Sequence, residues 1–151
     1  MRRYIPNYKV QLVKENNYIA DKKIIHSPRD CFDIMKGLYE TCVTEQFHII
    51  LLNTKNHVLG ISTISTGTLN ASLVHPREVF QPVLLQGMVA SIILSHNHPS
   101  GDATPSNEDI QLTKKLVAAG KLLDIPILDH VIIGDGYYVS LKEKNLLYDR
   151  R

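Results

Sequence analysis

SHNHPSGDATPSNED, Ser95 to Asp109, is the stretch on which the reading of this chain turns. It follows Val89 to Ser95, a short and nearly all-apolar run of the kind that forms a strand buried on both faces. The loop from His96 to Pro105 holds two prolines and a glycine, and Ser106 then stands where a helix cap belongs. His96 and His98 are two positions apart. On a backbone that stays extended past the strand, both rings point to the same side. Two neutral imidazoles so placed can grip one cation, at about 2.0–2.1 Å for zinc. Asp109 falls in the first turn of the helix that Ser106 opens, and a returning loop would bring it to the histidines. Two imidazoles and one carboxylate leave a fourth tetrahedral position for water, which marks a catalytic rather than a structural zinc. The same nitrogen and oxygen donors also admit Mn, Fe or Co. Ser106 and Asp109 read equally well as the two ends of a helix capping box, and the helix dipole favours an acidic residue there in any case. Asp102 and Glu108 are rival carboxylates that spacing alone does not rank below Asp109.

Working outward, Ser27-Pro28 starts a helix, with Ser as cap and Pro in the first position. Cys31, Ile34, Met35, Leu38 and Tyr39 give it one apolar face. Gln46 to Asn53 reads as a strand, Thr54-Lys55-Asn56 as a turn, and Val58 to Thr66 as the second arm of a hairpin. Pro76 opens a helix to about Met88. The helix from Ser106 runs to about Ala119, with Gly120 at its C-terminal position. Ile125 to Ile133 is a strand, and Gly134-Asp135-Gly136 turns it into Tyr137 to Ser140. Tyr8 to Val13 alternates enough to be an edge strand, and the tail from Leu141 reads as a short helix. The order predicts an α/β or α+β three-layer domain with a central mixed sheet flanked by helices. Residues 1–26 are read as an N-terminal extension, 27–143 as the domain and 144–151 as a tail.

A chain of 151 residues with 44% hydrophobic and 21% charged residues is expected to be one folded globular domain. The net charge of +2 is spread rather than clustered, so a dedicated nucleic-acid face is not expected. Cys31 and Cys42 are too few for a disulfide framework and read as buried small apolar residues in a reducing compartment. The N-terminus MRRYIPNYKV lacks the apolar stretch of a secretory signal, and no run is long enough to span a bilayer. A cytoplasmic location is the expectation. Asp129-His130 is read as a satisfied pair on a strand in preference to an outer partner that orients a ligand.

His96-x-His98, ten residues and Asp109, with Ser106 three before the Asp, resembles the JAMM motif of the JAB/MPN metalloproteases. Thr66 to Phe80, Ser95 to Ile110 and Leu128 to Glu143 are similar to the RadC-like branch of that superfamily. The resemblance covers roughly Ser27 to Glu143 and implies a cytidine deaminase-like fold with one Zn2+ per chain, held by His96, His98 and Asp109. It implies a glutamate from an earlier segment that activates the water, and Glu45 matches that place, with Glu40 and Glu15 as weaker rivals. The family's serine maps onto Ser106, where it would steady the oxyanion. The implied activity is hydrolysis of a protein or peptide amide without a covalent intermediate, Glu45 moving the proton from water to the leaving amine. Full-length RadC proteins carry an N-terminal helix-hairpin-helix region that this sequence lacks, so an inherited link to DNA repair is a weaker expectation. The Ser62 to Thr68 segment is a candidate wall of the site that could take an extended peptide along its edge. Oligomeric state is not legible.

Overall fold

The computed structural model describes residues 3–67 and 74–148. Its elements run α1 (Pro28–Tyr39), β1 (Gln46–Leu52), β2 (Val58–Thr66), α2 (Pro76–Gln86), β3 (Ser91–Asn97), α3 (Asn107–Leu122), β4 (Ile127–Ile133) and β5 (Tyr138–Ser140). The five strands form one sheet in the order β2-β1-β3-β4-β5. β1 pairs antiparallel with β2 and with β3, β3 runs parallel to β4, and β5 returns antiparallel on β4. The parallel pair needs a crossover, and α3 supplies it.

Alternation along the central strands divides the core into two layers. Phe47, Ile49, Leu51, Ile92 and Leu94 face α2 and α3, where they meet Val79, Phe80, Leu112 and Leu116. Ile50, Leu52, Ile93, Val131 and Ile133 face α1, against Cys31, Phe32, Ile34 and Met35. Each such side chain, fully buried, stabilises the fold by about 1.5–3 kcal/mol relative to exposure. The expected three-layer domain with a mixed sheet and flanking helices is the one observed.

Local chemistry accounts for most boundaries. Ser27 caps α1 with a complete capping box to Asp30. Asn56 takes a positive φ of 59° in the β1–β2 turn, while the Asn53 side chain accepts from the Lys55 and His57 amides at 2.9 and 3.0 Å. Gly87 ends α2 in the left-handed conformation.

Four expectations are corrected. Tyr8 to Val13 is exposed and forms no strand, since alternation without a partner strand leaves its backbone groups to water. The strand expected at Val89–Ser95 lies at Ser91–Asn97, because pairing with β4 continues to Asn97 opposite Ile133. α3 runs past Gly120 to Leu122. Gly120 is there for close approach, since a Cβ would lie 2.4 Å from the Ile125 carbonyl oxygen, and Asp124 is the residue that takes a positive φ, 55°. The segment after Leu141 is a series of turns rather than a helix. Of the two cysteines, Cys31 is fully buried and Cys42 only partly, its thiol donating to the Leu38 carbonyl at 3.3 Å. Thr68, the last residue of the expected site wall, lies outside the described residues, as do residues 69–73.

Candidate metal centre

β3 ends on His96 and Asn97, with His98 the next residue beyond, and α3 begins opposite them with its first turn over the strand end. His96 Nε2 and His98 Nε2 lie 3.0 Å apart. The Asp109 carboxylate stands 3.3 Å from His96 Nε2 through one oxygen and 3.4 Å from His98 Nε2 through the other. Ligands about 2.0–2.1 Å from a tetrahedral ion are separated by roughly 3.3 Å, so the three side chains fit one cation without rearrangement. The donor set makes the same demand chemically. His98 Nδ1 lies 2.7 Å from the Asp102 carbonyl oxygen, which can only accept. In neutral His98 the proton is therefore on Nδ1, and the Nε2 lone pair faces a carboxylate and a second imidazole. Lone pairs converging in this way suit a positive charge among them.

Asp109 is aimed by the helix cap. Its Oδ2 accepts from the Ser106 amide at 2.8 Å, and Ser106 Oγ accepts from the Asp109 amide at 3.1 Å. Burial works to raise the Asp109 carboxyl, but the hydrogen bonds from His96 and His98 outweigh it and hold the group well below the carboxylate range. The Asp109 hydrogen bond in turn raises His98 above its ordinary value, against its burial.

The rival carboxylates are placed elsewhere. The Asp102 carboxylate is occupied by Thr104 N at 2.9 Å, Thr104 Oγ1 at 2.7 Å and the Tyr137 hydroxyl at 3.1 Å, which shape the loop. Glu108 is exposed on α3 and stands apart from the His96, His98, Asp109 group. The loop itself is fastened to the β4–β5 turn by His98 N on the Ile133 carbonyl at 2.9 Å and Asp135 N on the Gly101 carbonyl at 2.8 Å. A Cβ at Gly134 would lie 2.3 Å from that same Gly101 oxygen, so the turn admits only glycine there.

Glu45 is half-buried immediately before β1, and its charge acts on His98. Asn97 fixes it from both sides: Oδ1 accepts from Gln46 N at 2.7 Å and Nδ2 donates to the Thr44 carbonyl at 3.1 Å. The Glu45 carbonyl accepts from Gly67 N at 2.8 Å. Glu40 borders a cleft of about 470 Å3 that His98 and Asn97 also line, whereas Glu15 lies on the exposed N-terminal segment. Ser106 is exposed beside the triad, with its hydroxyl oxygen accepting at the cap and its proton left to give.

Sequence reasoning missed Asn97 and misjudged His130. The Asp129 carboxylate takes the Ser140 hydroxyl at 2.6 Å and the backbone amides of His130 and Lys142 at 2.7 and 3.0 Å. The His130 ring is not its partner. It lies against His96, Nε2 to Nδ1 at 2.7 Å, and burial pushes its pKa well below the ordinary histidine value.

Fold and site together define a three-layer α/β domain with His96, His98 and Asp109, a group that could hold one metal ion, gathered at the end of a parallel strand. The family model described as the RadC-like JAB domain matches residues 25–146, and the chain belongs to that family. It is similar to the UPF0758 protein of Moorella thermoacetica, 51% identical over 130 residues, which cover 86% of this chain and 56% of that relative. The UPF0758 proteins of Alkaliphilus metalliredigens (54% over 123 residues, 82% and 53%) and Methanosarcina mazei (52% over 126 residues, 83% and 55%) are comparable. The chain thus spans about half the length of these relatives. Among the described residues, no helix is long and apolar enough to cross a membrane.

Proposed function

We propose that this domain is a zinc-dependent metallohydrolase, a peptidase or isopeptidase acting on a protein or peptide amide. The observation that carries the reading is the convergence of His96 Nε2, His98 Nε2 and the Asp109 carboxylate, with ligand atoms within 4.8 Å of one another, beside an open cleft. A divalent cation held by these residues supplies Lewis acidity and lets water act as a nucleophile near neutral pH. Glu45 takes the proton of that water and returns it to the leaving amine. Asn97 keeps Glu45 at its station by holding the backbone on either side. The Ser106 hydroxyl donates to the oxygen that gains charge when the amide is attacked. A nucleic-acid substrate finds less support, because the net charge of +2 provides little phosphate attraction.

The test is elemental analysis of the purified chain together with His98→Ala and Glu45→Gln, followed by a peptide-library cleavage assay. The expected result is about one zinc per chain in the parent and in Glu45→Gln, loss of it in His98→Ala, and cleavage by the parent alone, Glu45→Gln falling by roughly 10²–10⁴-fold as for a general base. A parent chain that takes up no zinc when offered it rules the reading out.

A further inference from the structure

The fully buried ring of His130 joins the His96 ring to the Thr113 hydroxyl. Its Nε2 is 2.7 Å from His96 Nδ1, and its Nδ1 is 2.6 Å from Thr113 Oγ1. Thr113, also fully buried, donates to the Asp109 backbone carbonyl at 2.6 Å. The line of contacts thus leaves one ligand residue, His96, and ends on the backbone of another, Asp109.

A carbonyl only accepts, and each neutral ring carries one proton. Two proton orders can be drawn through these atoms, and one of them keeps a proton in every contact. In one, Thr113 donates to the Asp109 carbonyl, His130 donates from Nδ1 to Thr113, and His96 donates from Nδ1 to His130 Nε2. His96 Nε2 is then a bare lone pair facing Asp109 and His98. In the other, Thr113 turns its proton to His130 and gives up the Asp109 carbonyl, His130 donates from Nε2 to His96 Nδ1, and His96 Nε2–H points at the Asp109 carboxylate. Both orders hold the same number of protons, and only the first leaves His96 able to bind a cation.

We propose that His130 and Thr113 are positioning residues, a buried relay that sets the tautomer of His96 and anchors its ring for cation binding. The inference rests on the reading of His96, His98 and Asp109 as a metal site. His98 has its tautomer set directly, by the Asp102 carbonyl. His96 is fully buried, and among the described residues its Nδ1 is linked to a carbonyl through the two intervening side chains.

The sheet is built to allow this. Ile127 pairs with Ile92 and faces the α2–α3 layer, so strict alternation would turn His130 to the α1 face. Pairing instead moves from Ile92↔Ile127 to Ile93↔Asp129, skipping Leu128. That one-residue irregularity brings His130 round to the α3 face beneath His96, where Thr113 meets it.

The test uses the full chain with Thr113→Val, which removes the hydroxyl at constant shape, and Thr113→Ser, which restores it. Zinc affinity is measured by competition with a chromophoric chelator. The ring protons of the zinc-loaded parent are placed by long-range 1H–15N NMR. We expect Thr113→Val to bind zinc about 10–100-fold more weakly, the usual cost of losing such an outer partner, and Thr113→Ser to recover most of it. In the loaded parent, His96 and His130 are both expected to carry their proton on Nδ1. Unchanged zinc affinity in Thr113→Val, or a proton on Nε2 of His130 in the loaded parent, overturns the relay while leaving the metal site standing. A parent that takes up no zinc removes both. If Thr113→Val does not fold, the proton positions in the parent decide alone.

Discussion

α1 and α3 begin with the same local device and put it to different use. Ser27 and Asp30 form a complete capping box at the start of α1, and Ser106 and Asp109 form another at the start of α3. Each box leaves the carboxylate with acceptor capacity to spare. At α1 it goes to Lys22 Nζ, 2.8 Å away, on a lysine side chain that is 52% exposed. At α3 it goes to two imidazoles at the end of a buried strand. Asp30 is held low chiefly by its hydrogen bond from Lys22, Asp109 by those from His96 and His98 against an opposing desolvation. A capping box therefore delivers a carboxylate at a fixed place and angle. Whether that carboxylate is a cap or a candidate ligand depends on what the sheet sets opposite it, and an expectation of one use does not compete with the other.

The largest separation between the two boxes is expected from the same substitution made in each. Asp109→Asn keeps an oxygen to accept from the Ser106 amide but removes the charge that faces both histidines. Zinc uptake and peptide cleavage should fall by more than the roughly 10–100-fold typical of an outer partner, with a small change in thermal stability. Asp30→Asn should leave zinc content and cleavage untouched. Equal zinc loss in both variants would mean that Asp109 acts only by holding α3 in place.

Next in size is the pair of serine substitutions. Ser27→Ala and Ser106→Ala remove the same cap acceptor, and each should cost about 1 kcal/mol in denaturant unfolding. Only Ser106→Ala should also lower kcat, by about 10²–10³-fold if its hydroxyl donates to the developing oxyanion. A Ser106→Ala enzyme with unchanged kcat would reduce Ser106 to what Ser27 already is.

Much of this was legible in the sequence, for reasons of range. The cap at Ser27, the His96-x-His98 spacing, the turn before Val58 and the position of Asp109 in a first turn all depend on neighbours within a few residues. His130 was not legible, because the face it occupies depends on a skipped residue in the β3–β4 pairing that no local pattern records. Asn97 was hidden for a similar reason: its partners Thr44 and Gln46 are some fifty residues away in the chain. The alternation at Tyr8 to Val13 is as clean as that of a strand, yet periodicity describes one side of a pairing and does not supply the other.

Acidity separates the boxes by a smaller but continuous effect. His98 is raised above its ordinary value near 6.5, chiefly by Asp109. In the cation-free chain the pair's contribution is complete below that ordinary value and is lost as pH rises through the raised one. Asp109 and Asp30 are both lowered, so their contributions hold above about 3.9 and are lost as pH falls. Zinc must displace the proton from His98, so its apparent affinity should rise with pH until the raised His98 value is passed and then level off. Chelator competition across a pH series measures this. An affinity that is flat from pH 5 to 8, as for a site without a protonated competitor, would remove His98 from the ligand set.

The smallest effect should come from Lys22→Ala, and it probes whether the α1 box is as open to solvent as the comparison requires. Lys22 shares Asp30 and Asp33 with solvent, and Asp33 also meets Lys36 at 3.0 Å and Arg29 at 3.4 Å. Losing one half-exposed cation from such a group leaves the carboxylates other partners, and exposed ion pairs are weakened further by salt. Thermal melts of Lys22→Ala and the parent should differ slightly at low ionic strength and converge at high salt, while Ser27→Ala stays destabilised in both, because its cap hydrogen bond is not a long-range charge interaction. A Lys22→Ala deficit that persists undiminished in high salt would show the α1 carboxylate to be shielded much as Asp109 is. The two boxes would then differ in partner alone rather than in partner and exposure.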